Sequence, residues 1–317
     1  MIDAVVGVLA WLQGFSEPLA WVVVAAFLAG TGLERYDREY ARYLFVGAWV
    51  LFGLFWLTMI HYFGIEQKSI VEGIGTVVAV PASVYVAVLL ARGRDSLFTL
   101  SRAVAVMGLF YMPLVSVPAV RRPLIELVTD QTAWVMALLG FEPTVVSGMT
   151  VDGLRIADKI YPYESTFVYY EGGTPITYTV RIACTGIGSM AIIAGIVAAV
   201  RAPATRKAAA LAVSLPVIYV LNIVRNVFIS LSLGKQAFHV FPEVVATAFS
   251  LGDPRLVSYI VADRIIAQSL SVVALVVILW LVVQRLPEVL TVVEDAVYLF
   301  TGREYDLGDA VGAPRFD

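Results

Sequence analysis

The sequence predicts an all-α polytopic membrane protein with about seven to eight transmembrane helices and one short extracytoplasmic extended or β segment. Three observations predict it. The 317 residues are 60% hydrophobic and 15% charged, and the mean hydropathy is +0.84. A soluble domain is nearer to about half apolar and about a quarter charged, so a water-bounded core cannot hide this many apolar side chains. Apolar runs of roughly 20 residues, the length that crosses a bilayer, recur along the chain. Basic residues gather in short loops that alternate with regions holding few of them.

The elements follow in order. A short apolar segment at 3–15 breaks near Gly14 and Pro18, and a first span follows at 18–33. Further spans are expected at 43–63, 70–91 and 97–119. Residues 124–140 are apolar but carry Glu126 and Asp130, which predicts an interfacial helix or one packed on other helices. The stretch 141–181 differs. Its tyrosines and β-branched residues, interrupted by Gly and Pro, predict an extended or hairpin segment. Hydrophobic spans resume at 183–200, 208–233 and 257–284, and a polar tail begins at 285. The chain thus divides into N-terminal transmembrane helices and an interfacial helix (1–140), an extracytoplasmic segment (141–181), catalytic transmembrane helices (182–285) and a cytoplasmic tail (286–317).

Charge sets the orientation. Arg35, Arg38 and Arg42 form one basic group, Arg92, Arg94 and Arg102 a second, and Arg201, Arg206 and Lys207 a third; the tail adds Arg285, Arg303 and Arg315. Placing these four regions in the cytoplasm satisfies the positive-inside rule. Residues 64–69, 120–181 and 234–256 then face outward. The net charge of −3, with no basic stripe, argues against a nucleic-acid partner. Two histidines, His61 and His239, are too few for a histidine-based metal site, and no metal or cofactor is expected.

There is one cysteine, Cys184, so no internal disulfide can form. It lies in ACTGIGSM at 183–190, where the extended segment meets a predicted span. Free N–H groups at a helix start favour an anion such as a thiolate or a developing oxyanion. The small residues Thr185, Gly186, Gly188 and Ser189 would let a substrate backbone approach. The same motif also suits a buried cysteine in a small-residue packing seam. Arg225 lies deep in the span 208–233, where a charge costs roughly 2.5–3.5 kcal/mol or more. Asn222, Arg225 and Asn226 share one helix face by i, i+3, i+4 spacing. Snorkelling would explain the arginine but not the flanking asparagines. In the last span Arg264, Gln268 and Ser271 share a face, with Asp263 available as a counter-ion. The predicted topology puts Cys184, Arg225 and Arg264 toward the outer face. Arginine cannot serve as a general base, but it can hold a thiolate and stabilise a tetrahedral oxyanion.

ACTGIGS, then NIVRN, then ADRIIAQ on successive spans resembles the exosortase/archaeosortase family across roughly residues 180–275. The resemblance implies a membrane-embedded cysteine transpeptidase acting through a thioester. Cys184 would be the nucleophile, Arg225 would stabilise the oxyanion or thiolate, and Arg264 would stabilise charge or donate a proton. Arg264 stands where the bacterial branch typically has histidine, as in the archaeal branch, and the general base stays unassigned. Asn222, Asn226, Gln268, Thr185 and Gly186 would contact substrate. The implied partners are the C-terminal sorting-signal peptide of secreted proteins, with a short motif such as PGF, a hydrophobic helix and a basic tail, and a membrane lipid acceptor with a head-group amine. S-layer glycoprotein is the implied principal substrate. The alternative from another class is a transporter or channel that binds an anionic solute at Arg225 and Arg264; no inverted repeat of the kind many transporters carry is visible. Tyr161, Tyr163, Tyr169, Tyr170 and Tyr178 would line a peptide groove or form an interfacial aromatic belt, the belt being preferred.

Overall fold

In the computed structural model of the protein, the described residues are 2–147, 150–151, 154–155, 162–171, 173–308 and 312. Tyr161 and Arg315 lie outside them. The protein is a polytopic helical membrane protein with a small antiparallel sheet. Among the described residues six helices are long and apolar enough to cross a membrane.

The chain order is α1 (Ile2–Gln13), α2 (Ser16–Leu33), α3 (Arg38–His61), α4 (Ile70–Ala91), α5 (Leu97–Ser116) and α6 (Pro118–Leu138). Five strands follow: β1 (Thr144–Val146), β2 (Thr150–Val151), β3 (Leu154–Arg155), β4 (Thr166–Glu171) and β5 (Thr174–Thr179). Then come α7 (Ile187–Ala199), α8 (Ala204–Gly234), α9 (Pro242–Ala248), α10 (Val257–Ile260), α11 (Gln268–Val283) and α12 (Leu290–Thr301). A π-helical stretch, Tyr62–Glu66, extends α3, and another, Val261–Ala267, joins α10 to α11. The six long helices are α2, α3 with its extension, α4, α5, α8 and the run Pro254–Val283.

Two compact units emerge. One comprises Met1–Pro113, Met190–Leu215 and Val276–Asp317. Its helices start where the sequence supplies caps. Asp37 accepts from the backbone N–H of Glu39 and Tyr40 at the start of α3, and Ser69 accepts from that of Glu72 at the start of α4. Such caps satisfy donors that a helix start leaves unpaired. Phe27, Phe45 and Phe98 are fully buried in the core. Phe27 meets Trp49 edge-on at 5.3 Å and Phe45 meets Phe98 at 5.3 Å, the geometry that ring quadrupoles favour. The four basic regions predicted to face inward all belong to this unit or its edge, and residues from each line one polar pocket, among them Arg38, Arg102, Arg201 and Glu288.

The structure departs from the expected span at 183–200 and adds a helix in the tail. The stretch 183–200 is not one long span. Its helix, α7, has 13 residues, about 20 Å at 1.5 Å per residue, which is short of the roughly 30 Å hydrocarbon core. The left-handed backbone of Gly186 sets its start, and the chain leaves helix before Pro203. The acidic tail also folds. In α12, Asp295 is buried and receives Arg94 at 3.0 Å and Ser96 at 2.8 Å, while the Arg94 guanidinium stacks 3.6 Å over the Tyr298 ring.

The other unit comprises Leu114–Ser189 and Pro216–Leu275. Here α6, the sheet, the second half of α8 and the π stretch share a core that includes Ile125, Val128, Phe167, Tyr178, Ile223 and Val227. Glu126 and Asp130 therefore belong to a helix packed on its neighbours: Asp130 is exposed, and Glu126 accepts from the Glu164 backbone N–H at 3.3 Å. The sheet order is β1-β4-β5, all antiparallel. Phe167 pairs with Tyr178 in register, and alternation along β5 buries Ile176 and Tyr178.

Candidate active site

The strand β5 leads directly into the site. After Val180 the chain stays extended at Arg181, then forms a 3-10 turn, Ile182–Thr185. The Cys184 N–H donates to the Arg181 carbonyl at 2.8 Å, and the Thr185 hydroxyl donates to the Ile182 carbonyl at 2.6 Å. Gly186 follows at φ 75°. A side chain there would strain the backbone and would also meet Asn222, whose Cβ lies 3.1 Å from the place a Cβ would take. Cys184 therefore precedes α7 rather than sitting in its first turn. Its own N–H is spent on the 3-10 turn.

Further site side chains stand on α8 and the π stretch. Asn222 and Asn226, one turn apart, both donate their amide N–H to the Cys184 carbonyl, Asn226 at 2.8 Å. One carbonyl oxygen offers two lone pairs, and both are used. The Tyr178 hydroxyl donates to Asn226 Oδ1 at 2.8 Å, which fixes the amide's orientation. Burial raises the Tyr178 phenol well above its ordinary range, so it stays a donor. A strand, a turn and a helix thus hold the cysteine backbone in one position.

Between the two asparagines comes Arg225. Its Nη2 contacts Asp263 Oδ1 at 2.7 Å. Among the described residues its buried Nε has no hydrogen-bond partner. Arg264 approaches the other carboxylate oxygen of Asp263, Nε to Oδ2 at 3.4 Å. Asp263 is only 5% exposed, and Tyr259 adds a hydrogen bond to it. Arg225, Tyr178 and Tyr259 all lie within electrostatic reach of Cys184, so the four groups share one neighbourhood. Two guanidiniums thus face the one carboxylate of Asp263 in a poorly solvated place, a group of three with a net positive charge. A thiolate or a tetrahedral oxyanion would balance it.

The residues singled out in the sequence are found as follows. Cys184, Thr185, Gly186, Asn222, Arg225 and Asn226 come together around the turn. Arg264 joins through Asp263. Gln268 is buried at the start of α11. Ser271 is exposed on α11, its hydroxyl donating to the Ala267 carbonyl at 2.7 Å; the i→i+5 winding of Val261–Ala267 shifts the face that regular helical spacing predicts. His61 bonds Gln13 at 2.6 Å, and His239 is exposed in a loop. Tyr163 and Tyr178 are buried rather than belted at an interface, and Tyr169 bonds Ser230 at 2.6 Å. Sequence reasoning missed Tyr259 and the bridging role of Asp263. The alternation of β5 could have marked Tyr178, but nothing in the sequence ties Asp263 to Arg225. Among the described residues no group of three or more His, Cys, Asp or Glu side chains gathers to hold a metal ion.

Comparison with known proteins decides the family. The profile described as Transmembrane exosortase matches residues 9–253. The chain belongs to the transmembrane exosortase family. That exosortase match includes Cys184 and Arg225 and ends before Arg264. Two relatives reach further. Archaeosortase A of Haloferax volcanii is 46% identical over 307 residues, 94% of this chain and 98% of that one. Archaeosortase A of Natronomonas pharaonis is 42% identical over 284 residues, covering 89% and 88% of the two chains. No solved structure matches.

Proposed function

We propose that this exosortase-family protein is a membrane-embedded cysteine transpeptidase that processes the C-terminal sorting signal of secreted proteins. One observation carries the reading: Cys184, its carbonyl clamped by Asn222 and Asn226, lies within electrostatic reach of Arg225, whose buried Nε has no partner among the described residues. Membership in a sorting-enzyme family and similarity to archaeosortase A support it.

The Cys184 sulfur attacks the carbonyl carbon of the scissile peptide, forming a C–S bond while the carbonyl π pair moves to oxygen. Arg225 Nε donates to that oxyanion, and the net positive charge of the Arg225–Asp263–Arg264 group offsets it. Collapse breaks the C–N bond, and the proton given up by the thiol ends on the leaving amine. The thioester then accepts a lipid head-group amine; a new C–N bond forms, the C–S bond breaks, and the thiol is restored. Asp263, held by two arginines, orients them. Asn222, Asn226, Thr185 and Gly186 hold the turn that presents the sulfur. S-layer glycoprotein carrying a PGF-type signal is the substrate we favour.

The site faces the cell exterior in this reading. Because Cys184 is the only cysteine, a membrane-impermeant maleimide reports its side of the bilayer without ambiguity. Applied to intact cells, it should label the protein and stop processing. Labelling confined to inverted vesicles would overturn the assignment.

A further inference from the structure

The unit built from Met1–Pro113, Met190–Leu215 and Val276–Asp317 contains a pocket of about 270 Å³ that plays no part in the chemistry above. It opens to solvent and its lining is charged. Arg38, Asp95 and Arg102 come from two of the predicted inner loops, Arg201 from a third, and Glu288 from the start of the tail, so segments far apart in sequence converge on one cavity.

The ion pairs around it do not balance. Glu34 is shared by Arg102, which grips both its oxygens at 2.7 and 2.9 Å, and by Arg201 at 3.9 Å. Asp95 is shared by Arg42 at 2.7 Å and Arg38 at 3.2 Å. Glu288 is held by Arg206, and the Lys207 ammonium lies within electrostatic reach of both Arg102 and Glu288. Among the described residues the lining holds three arginines and three carboxylates, and Arg42, Arg206 and Lys207 add positive charge just outside it, so six cations surround three carboxylates. Of the lining arginines, Arg201 and Arg38 are the exposed ones, at 84% and 54% of the side chain. Arg102 is different: its Nε reaches the Ala199 carbonyl and its Nη2 the Thr99 hydroxyl, so it is locked in place as a wall of the pocket. Ion pairs as exposed as that of Arg201 are weak and cost little to rearrange. One arginine held in place and two exposed ones that can turn toward a ligand suit a tetrahedral oxyanion. The volume falls just under the roughly 300–1,000 Å³ of small-molecule sites, the size of a head group rather than a larger ligand.

We propose that this pocket binds a phosphate-bearing anion, with Arg38 and Arg201 closing over it. Two sources share that chemistry: the phosphate of an anionic phospholipid at the inner leaflet, and free phosphate. The pocket stands independently of the cysteine chemistry, and its test does not use processing.

The test uses purified full-length protein. Retention of phosphatidylglycerol against phosphatidylcholine is read by native mass spectrometry, and the unfolding midpoint is read in inorganic phosphate against chloride at matched ionic strength. The double variant Arg38→Gln, Arg201→Gln should weaken anion binding about 30-fold, because two basic groups no longer face the anion. The control Arg35→Gln, Arg92→Gln removes two exposed arginines outside the pocket and should leave binding close to wild type. A response to phosphatidylglycerol alone assigns the site to a head group, and an equal response to inorganic phosphate assigns it to the free ion. Equal weakening in both double variants, or no response to either anion, would overturn the proposal. Unfolding midpoints without added anion show that the variants are folded.

Discussion

Cys184→Ala is expected to abolish processing of signal-bearing substrates and leave the uncleaved precursor to accumulate in the membrane. No other cysteine can take over. In a site where groups act as a unit, loss of the nucleophile removes most of the acceleration, on the order of 10³-fold or more. The fold should survive. Cys184 is held through its backbone: both asparagine amides bond its carbonyl and its N–H bonds Arg181, none of which needs the sulfur. Immunoblotting of a substrate's precursor and mature forms reads the activity, and the unfolding midpoint of the purified variant reads the fold. Normal processing by this variant would remove the cysteine from the mechanism.

The second large effect is expected from Arg225→Lys. Charge is kept, so a purely electrostatic role would leave much of the activity. A guanidinium, however, does two things here that an ammonium cannot do together. Its Nη2 holds Asp263 at 2.7 Å while its Nε stays unpartnered and buried among the described residues. Lysine presents a point charge and cannot keep both directions. Loss of one oxyanion donor costs about 10²–10³ in kcat. The fall should appear in kcat with KM little changed, because the donor acts on the transition state. Full activity in the lysine variant would contradict the donor role of Arg225.

Much of this architecture can be read from the chain, for identifiable reasons. Long apolar runs mark the spans, and 70–91 coincides with α4 because Ser69 caps its start and Gly93 follows its end. The aromatic, β-branched composition of 141–181 marks the hairpin that β4 and β5 form. The meeting of Cys184 with Arg225 and Asn226 is visible in outline, since polar groups on an apolar helix must face protein.

What stays hidden depends on contacts between distant residues. Asp263 reads as a local partner for Arg264, yet its shorter contact is to Arg225, 38 positions away. Asn222 and Asn226 read as substrate contacts, and the sequence gives no sign that their amides also hold the Cys184 carbonyl. The π stretch at Val261–Ala267 breaks the regular helical spacing that placed Ser271 beside Arg264. Glu and Asp in the tail suggest solvent, but Asp295 is buried because Arg94, 201 residues earlier, comes to meet it.

The central claim is an acyl group carried on the Cys184 sulfur. Incubating the purified protein with a signal-bearing peptide, quenching in acid and mapping the digest by mass spectrometry tests it directly. The account predicts an acyl adduct on the Cys184 peptide that hydroxylamine removes and that accumulates when no amine acceptor is supplied. Peptide cleavage proceeding under those conditions with the Cys184 peptide unmodified would contradict it.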